Sequence, residues 1–253
     1  MKIKNLLMLI AVLLGALSAA AADTRKKVVM LIAEPEYDTA KTLPEFAAKF
    51  LEKDFRVVIC GGSTAAGENA FSKIEEVADA DVLLISVRRR TPPKAQFDLI
   101  RRHIAAGKPI VGIRTASHAF VLRTGKPADG LADWPDWDAQ VIGGSYTNHY
   151  GTGPITTVTA VQPGHPVVRG VKLPFTSPST LYKSNPLRAG AQAVLTGAIP
   201  GQPAESVAWT STRPDGGRTF YTSLGSPADF QNSSFTRLLQ NGIAWAAGAL
   251  PAK

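Results

Sequence analysis

The segment Lys108 to Phe120, KPIVGIRTASHAF, constrains this chain more than any other. Pro109 to Ile113 reads as a buried strand running straight into a sharp turn and a helix start. In open α/β sheets, ligands lie in the crevice beyond the carboxyl ends of the strands, near a switch point. Arg114, Thr115, Ser117 and His118 are therefore expected at a pocket. A nucleophile elbow would place Cys or Ser at this turn. Here Arg-Thr stands there, a pair suited to binding or polarising a ligand and not to attacking it.

The pattern around this segment alternates. Lys27 to Ala33 is a continuous apolar run, as in a parallel strand covered on both faces. Leu43 to Lys53 has the spacing of an amphipathic helix. Phe55 to Cys60 is a second strand, Ile74 to Ala80 a short helix or turn, and Asp81 to Val87 a third strand. Lys94 to Ala106 is a helix with Thr91 suited to its N-cap. The order predicts an α/β fold: a doubly wound, flavodoxin-like parallel sheet with helices on both faces. Extra strands and long loops follow in the C-terminal half. Strands are expected at Ile155 to Val161, Ala193 to Leu195, Ser206 to Trp209 and Gly217 to Ser223. Val167 to Pro174 and Thr180 to Tyr182 read as short extended pieces, and Asn232 caps a final helix, Phe235 to Ala247.

Residues 1–22 read as a signal peptide: Lys2 and Lys4, an apolar Leu6 to Leu17, and a small-residue site at Ala20 to Ala22. The apolar run is shorter than the roughly 20 residues of a membrane span. A periplasmic or secreted protein is expected, with residues 23–253 forming one domain and no transmembrane segment. The formal net charge is +8, to which Lys2 and Lys4 contribute two. Export argues against a nucleic-acid partner. A solvated basic face at Arg88 to Arg90, or one meeting anionic sugars or an anionic envelope, fits better. The single cysteine, Cys60, ends an apolar strand and reads as a small buried hydrophobe.

Four histidines are present. His103 is expected at the surface of its helix and His165 in a structural turn. His118 either faces the pocket or packs with Phe120. His149 lies in GGSYTNHYG beside Tyr146, Asn148 and Tyr150, a set suited to sugar recognition. Trp134, Trp137, Tyr146 and Tyr150 either stack on sugar rings or form a satellite core under a long loop. Glu34, Glu36, Asp38, Asp133, Asp136, Asp138 and Asp229 are the carboxylates considered for acid–base work, against a role in solvating loops. No His-x-His, His-x-x-x-His or Cys-x-x-Cys spacing occurs, and no metal or cofactor is expected. A site joining His118, His149 and Asp138 or Asp229 has no support from spacing.

KPIVGIRTASHAF, VIGGSYTNHYG, GHPVVRGV and FYTSLGSPADFQNSSFTRLLQNGIAWAAG occur in the order found in trehalose-utilisation, or ThuA-like, proteins, and the opening LIAEPEYDTAKTLPEFA resembles that family's first strand and loop. The resemblance runs from about Lys27 to Gly248. It implies a class I glutamine amidotransferase-like fold without the Cys nucleophile, hence not a glutamine amidotransferase. It also implies use of trehalose and related disaccharides, often beside oxidoreductases that make 3-keto sugars. The family's histidine maps onto His149 and its elbow onto Arg114. Where the family commonly reads Leu-Gly-His, this chain has Leu224-Gly225-Ser226, removing a base or ligand.

The expected protein acts on a small sugar, glycoside or keto-sugar, as a hydrolase, lyase or isomerase. Arg114 and His149 are its expected catalytic pair. Glu34, Tyr37, Thr115, His118, Tyr146, Asn148 and Asp229 are expected to contact substrate. The alternatives are a non-catalytic carbohydrate-binding protein using the same crevice and a basic envelope-interaction module. The sequence leaves the oligomeric state open.

Overall fold

The computed structural model describes residues 23–63 and 68–250. The expected signal peptide lies outside the described residues. In chain order the regular elements are β1 (Lys26–Ala33), α1 (Thr39–Phe50), β2 (Phe55–Gly61), β3 (Val82–Val87), α2 (Lys94–Ala105), β4 (Ile110–Ile113), β5 (Asn148–His149), β6 (Thr156–Ala160), β7 (Phe175–Ser177), β8 (Tyr182–Lys183), β9 (Ala191–Ala198), β10 (Glu205–Thr212), β11 (Arg218–Thr222) and α3 (Ser233–Ala246).

Nine strands form one mixed sheet in the order β2-β1-β3-β4-β11-β10-β9-β6-β7. The first five are parallel and in register, with Val28 opposite both Val57 and Val82, Leu83 opposite Ile110, and Ile110 opposite Thr219. The strand order 2-1-3-4 followed by a fifth parallel strand is the flavodoxin-like arrangement. Beyond β11, every neighbour is antiparallel. β5 and β8 pair separately, with His149 opposite Tyr182.

Alternation along β1 builds both cores. Val28, Met30 and Ile32 face α1 and α3, packing with Leu43, Phe46, Phe235 and Leu238. Val29, Leu31 and Ala33 face α2, packing with Phe97, Ile100 and Trp137. Burial on both faces explains why this strand reads as an unbroken apolar run. α3 sits directly on β11 because Gly242 has no side chain. A Cβ there would lie 2.2 Å from the Phe220 ring.

Several local expectations need correction. α2 begins after Pro93, and Thr91 makes no cap; its backbone N–H donates to Asn69 Oδ1. Val167 to Pro174 is not extended, because His165 caps a 3₁₀ turn over Pro166–Val168 and only Phe175–Ser177 forms a strand. His103 is buried, not at the surface. It bonds the Pro109 carbonyl at 3.0 Å, and burial pushes its pKa down to about 4. The expected Asn232 cap is present, its side chain accepting from Ser234 N–H. Cys60 is buried, donates to the Lys73 carbonyl and has its thiol pushed up to about 11 by burial.

Candidate functional site

The switch point lies where β2 and β3 flank β1. The loops after β1 and β3 therefore open onto one crevice, and the turn after β4 stands beside them. A cavity of about 120 Å³ there is lined by Glu36 and Tyr37 after β1, Arg88 after β3, His118 after β4, Tyr146, and the β5–β8 pair through His149 and Tyr182. A second cavity of about 310 Å³, holding Arg89, shares Arg123, Tyr146 and Asn148 with it. The inner cavity alone is smaller than the roughly 300–1,000 Å³ of ordinary small-molecule sites; with its neighbour it enters that range.

The elbow itself is closed. Arg114 takes a left-handed backbone, φ 52°, as an elbow residue does. A non-glycine residue there costs about 1–3 kcal/mol and must be held by its surroundings. Arg114 Nη1 donates to the carbonyls of Thr180 (3.0 Å) and Ser223 (2.5 Å). Its Nη2 donates to Thr180 Oγ1 (2.5 Å) and Tyr37 Oη (3.4 Å). The rings of Tyr37 and Tyr182 flank the guanidinium at 4.4 and 4.3 Å. Only 1% of Arg114 is exposed. This corrects the expectation that Arg114 polarises substrate: its guanidinium pins the two tyrosines from behind the pocket.

Two carboxylates expected at the substrate are also committed elsewhere. Glu34 accepts from the N–H groups of Glu36, Tyr37 and Thr39 and from Thr39 Oγ1, closing the β1–α1 loop. Asp229 is 1% exposed and accepts from Ser177 Oγ, Ser179 Oγ, Gly225 N–H, and both Ser226 N–H and Oγ. Neither lines the two cavities. Thr115 is fully buried and lines neither cavity.

His118, Tyr146, Asn148 and His149 do come together, with Tyr37. The His118 ring stacks on Tyr146 with centroids 4.5 Å apart, and Ser117 Oγ lies 3.1 Å from its Nδ1. Burial, then the charges of Arg89, Arg88, Arg123 and Arg114, pushes the His118 pKa down to about 3. His118 is therefore neutral at pH 7. His149 is exposed on β5, and its Nδ1 accepts the Gly151 N–H at 3.0 Å. That bond places the proton of the neutral ring on Nε2, making Nε2–H a donor.

Sequence reasoning missed Arg123 and Tyr182, and it left open whether Arg88 to Arg90 form a solvated face, meet an anionic sugar or envelope, or face the pocket. The structure puts Arg88 and Arg89 at the pocket and buries Arg90. Arg88 pairs with Glu36 at 2.7 Å and lines the inner cavity, and Arg89 lines the outer one. Arg90 is buried and donates to the Glu68 carbonyl. Their position directly after β3, at the switch point, was the available signal; Arg123 and Tyr182 carried none. The aromatic cluster divides. Trp137 is buried core, donating to the Ala116 carbonyl, while Tyr146 belongs to the pocket and Tyr150 donates to Glu205.

Behind Tyr146, Asp138 accepts its backbone N–H at 2.6 Å, and burial raises the Asp138 pKa to about 6. Among the described residues, no group of three or more His, Cys, Asp and Glu side chains is placed to hold a metal ion, and His118, His149 and Asp138 or Asp229 are not gathered into one. A larger cavity, about 670 Å³, lies at the opposite ends of the strands, against α2 and the β10–β11 turn. No histidine lines it, and its acid, Asp215, is already paired with Arg213.

The pattern of the ThuA family, described as trehalose utilisation, matches residues 34–246. Similar solved structures include a ThuA-like protein of Bacteroides uniformis (17% identity, TM-score 0.63, covering 90% of this chain and 94% of that one). Another ThuA-like protein, from Parabacteroides merdae, has 16% identity and a TM-score of 0.61 over 90% and 92% of the two chains. A protein of Thermoplasma acidophilum, described as part of a GMP synthase, shares 12% identity at TM-score 0.55, over 88% and 95%. These likenesses carry the fold. No curated protein matches the chain.

Proposed function

The chain belongs to the ThuA, or trehalose-utilisation, family, and from that premise we propose that it is an exported protein whose switch-point pocket takes a disaccharide, a glycoside or a keto-sugar derivative. The observation that carries this reading is the convergence of Tyr37, Tyr146, Tyr182, Asn148, His118 and His149 on one crevice at the strand ends. Aromatic rings present broad apolar faces with a polar edge, suited to the C–H surface and hydroxyls of a sugar. Asn148 supplies an amide, and neutral His118 is a donor and acceptor without a charge to desolvate.

In this reading His149 is the group that acts on the substrate. Its Nε2–H donates a hydrogen bond to a carbonyl or leaving oxygen as negative charge develops there, which is electrostatic assistance without loss of the proton. Arg114 is a positioning residue that holds Tyr37 and Tyr182. A non-catalytic sugar-binding protein is the second reading. What favours it is the loss of the family's Leu-Gly-His histidine to Ser226, whose hydroxyl is spent on Asp229.

The test is a thermal-shift screen of residues 23–253 with trehalose, other disaccharides and 3-keto glycosides, with product analysis on every hit. Ligand binding raises the melting temperature by mass action. A shift with product supports the enzyme, and a shift without product supports the binding protein. No shift with any sugar contradicts the pocket assignment.

A further inference from the structure

The pocket is basic in a way that a neutral sugar does not require. Arg88 and Arg123 line the inner cavity, and Arg89 and Arg123 the outer one. Against three guanidiniums stands one carboxylate, Glu36, paired with Arg88. Neither Arg89 nor Arg123 makes an ion pair among the described residues.

The arginines are also incompletely paired. Arg88 Nε and Arg89 Nε are buried, and neither has a hydrogen-bond partner. A buried unmade bond on a charged group is expensive, costing about 1–3 kcal/mol or more. Arg89 is aimed by its backbone: φ is 49°, its N–H bonds the His118 carbonyl, and Nη1 bonds the Val121 carbonyl at 3.1 Å. Holding a non-glycine residue in that conformation, beside like charges, is a cost that an occupant of opposite charge would offset. Burial and the charges of Arg123 and Arg88 lower the Arg89 pKa, so its positive charge is held there at a cost.

We infer that the ligand carries an anionic group, a carboxylate or a phosphate on the sugar, held at Arg89 and Arg123 where the two cavities meet. A guanidinium matches the oxygens of either group with two parallel bonds. The sugar ring would lie toward Tyr37, Tyr182 and His149 in the inner cavity. The inference rests on the reading of this crevice as a sugar site.

The test is titration calorimetry of residues 23–253 with two matched pairs, trehalose against trehalose 6-phosphate and glucose against glucuronate, with inorganic phosphate alone as a further probe. One charged member should bind at least about tenfold more tightly than its neutral partner, a difference of about 1.4 kcal/mol. Which pair shows it distinguishes phosphate from carboxylate. Arg89→Gln and Arg123→Gln should each reduce that preference, and Arg123 is exposed, so its variant tests the charge without disturbing the core. Neutral sugars that bind as well as both charged partners overturn this inference and leave the sugar reading standing. A charged preference that survives in Arg123→Gln overturns it as well. Phosphate binding as tightly as the sugar phosphate indicates a bare anion site and contradicts it. If no sugar of either kind binds, the sugar reading fails and this inference fails with it.

Discussion

The guanidinium carbon of Arg114 lies 4.3 Å from the centre of the Tyr182 ring. A residue at the elbow of β4 thus holds a residue of β8, and through β8 the strand that carries His149. Arg114→Ala removes four hydrogen bonds and leaves the buried Ser223 carbonyl and the half-buried Thr180 carbonyl without this donor. We expect a stability loss of about 3 kcal/mol or more, read as a lower urea midpoint. Arg114→Lys should rescue little of it, because an ammonium lacks the planar fork. An unchanged midpoint with abolished ligand binding would return Arg114 to the substrate.

His149 should behave in the opposite way. It is exposed and its ring contributes little to the core. His149→Ala should leave the melting temperature nearly unchanged. Turnover of an accepted substrate should fall about 100-fold, as for loss of a hydrogen-bond donor to developing negative charge. Undiminished turnover would exclude His149 from the chemistry.

Stability should fall as the solution is acidified. His118 and His103 have folded pKa values of about 3 and about 4, below the ordinary 6.5. The unfolded chain therefore binds protons that the folded chain does not, and stability is lost from pH 6.5 downward. Between pH 7 and pH 4 each histidine costs on the order of 3 kcal/mol. Asp138 works the other way, because its folded pKa is raised to about 6 and protonation of the folded form relieves a buried charge. That offset is about 2 kcal/mol over the same range, so the net loss is a few kcal/mol. Denaturant midpoints measured across pH 4–7 check the sign, and Asp138→Asn should make the acid loss steeper. A flat profile would contradict the burial assigned to both histidines.

Gly242→Ala tests the contact between α3 and the sheet. The added methyl would meet the Phe220 ring at 2.2 Å, so the helix must move or the ring must turn. A cost of about 1–3 kcal/mol is expected, measured by thermal or urea unfolding. A neutral substitution would mean that α3 is packed more loosely on β11.

The fold was legible where local pattern and burial agree. KVVMLIA reads as a strand covered on both sides, and it lies inside the parallel half, between β2 and β3. The elbow after β4 was legible as well, from IVGI running into polar residues. What stayed hidden depends on long-range partners. Arg114 reads as a pocket residue until the chain brings Thr180 and Ser223, 66 and 109 residues away, onto its donors. Glu34 and Asp229 look free in sequence because no local pattern marks the turn N–H groups that occupy them, nor the Ser177 and Ser179 hydroxyls, 52 and 50 residues from Asp229. His103 could have been placed better. Phe97, Ile100 and Ile104 define the buried side of α2, and His103 lies three residues from Ile100 on that side.

The most direct test of the pocket is titration calorimetry of trehalose and a 3-keto glycoside into the wild-type chain and into Tyr146→Ala. Tyr146 lies against both His118 and Tyr182 and borders both cavities. Saturable binding to the wild type, weakened about tenfold or more in Tyr146→Ala, is the predicted result. Binding that is absent in the wild type, or indifferent to Tyr146, would contradict the assignment of this crevice as the sugar site.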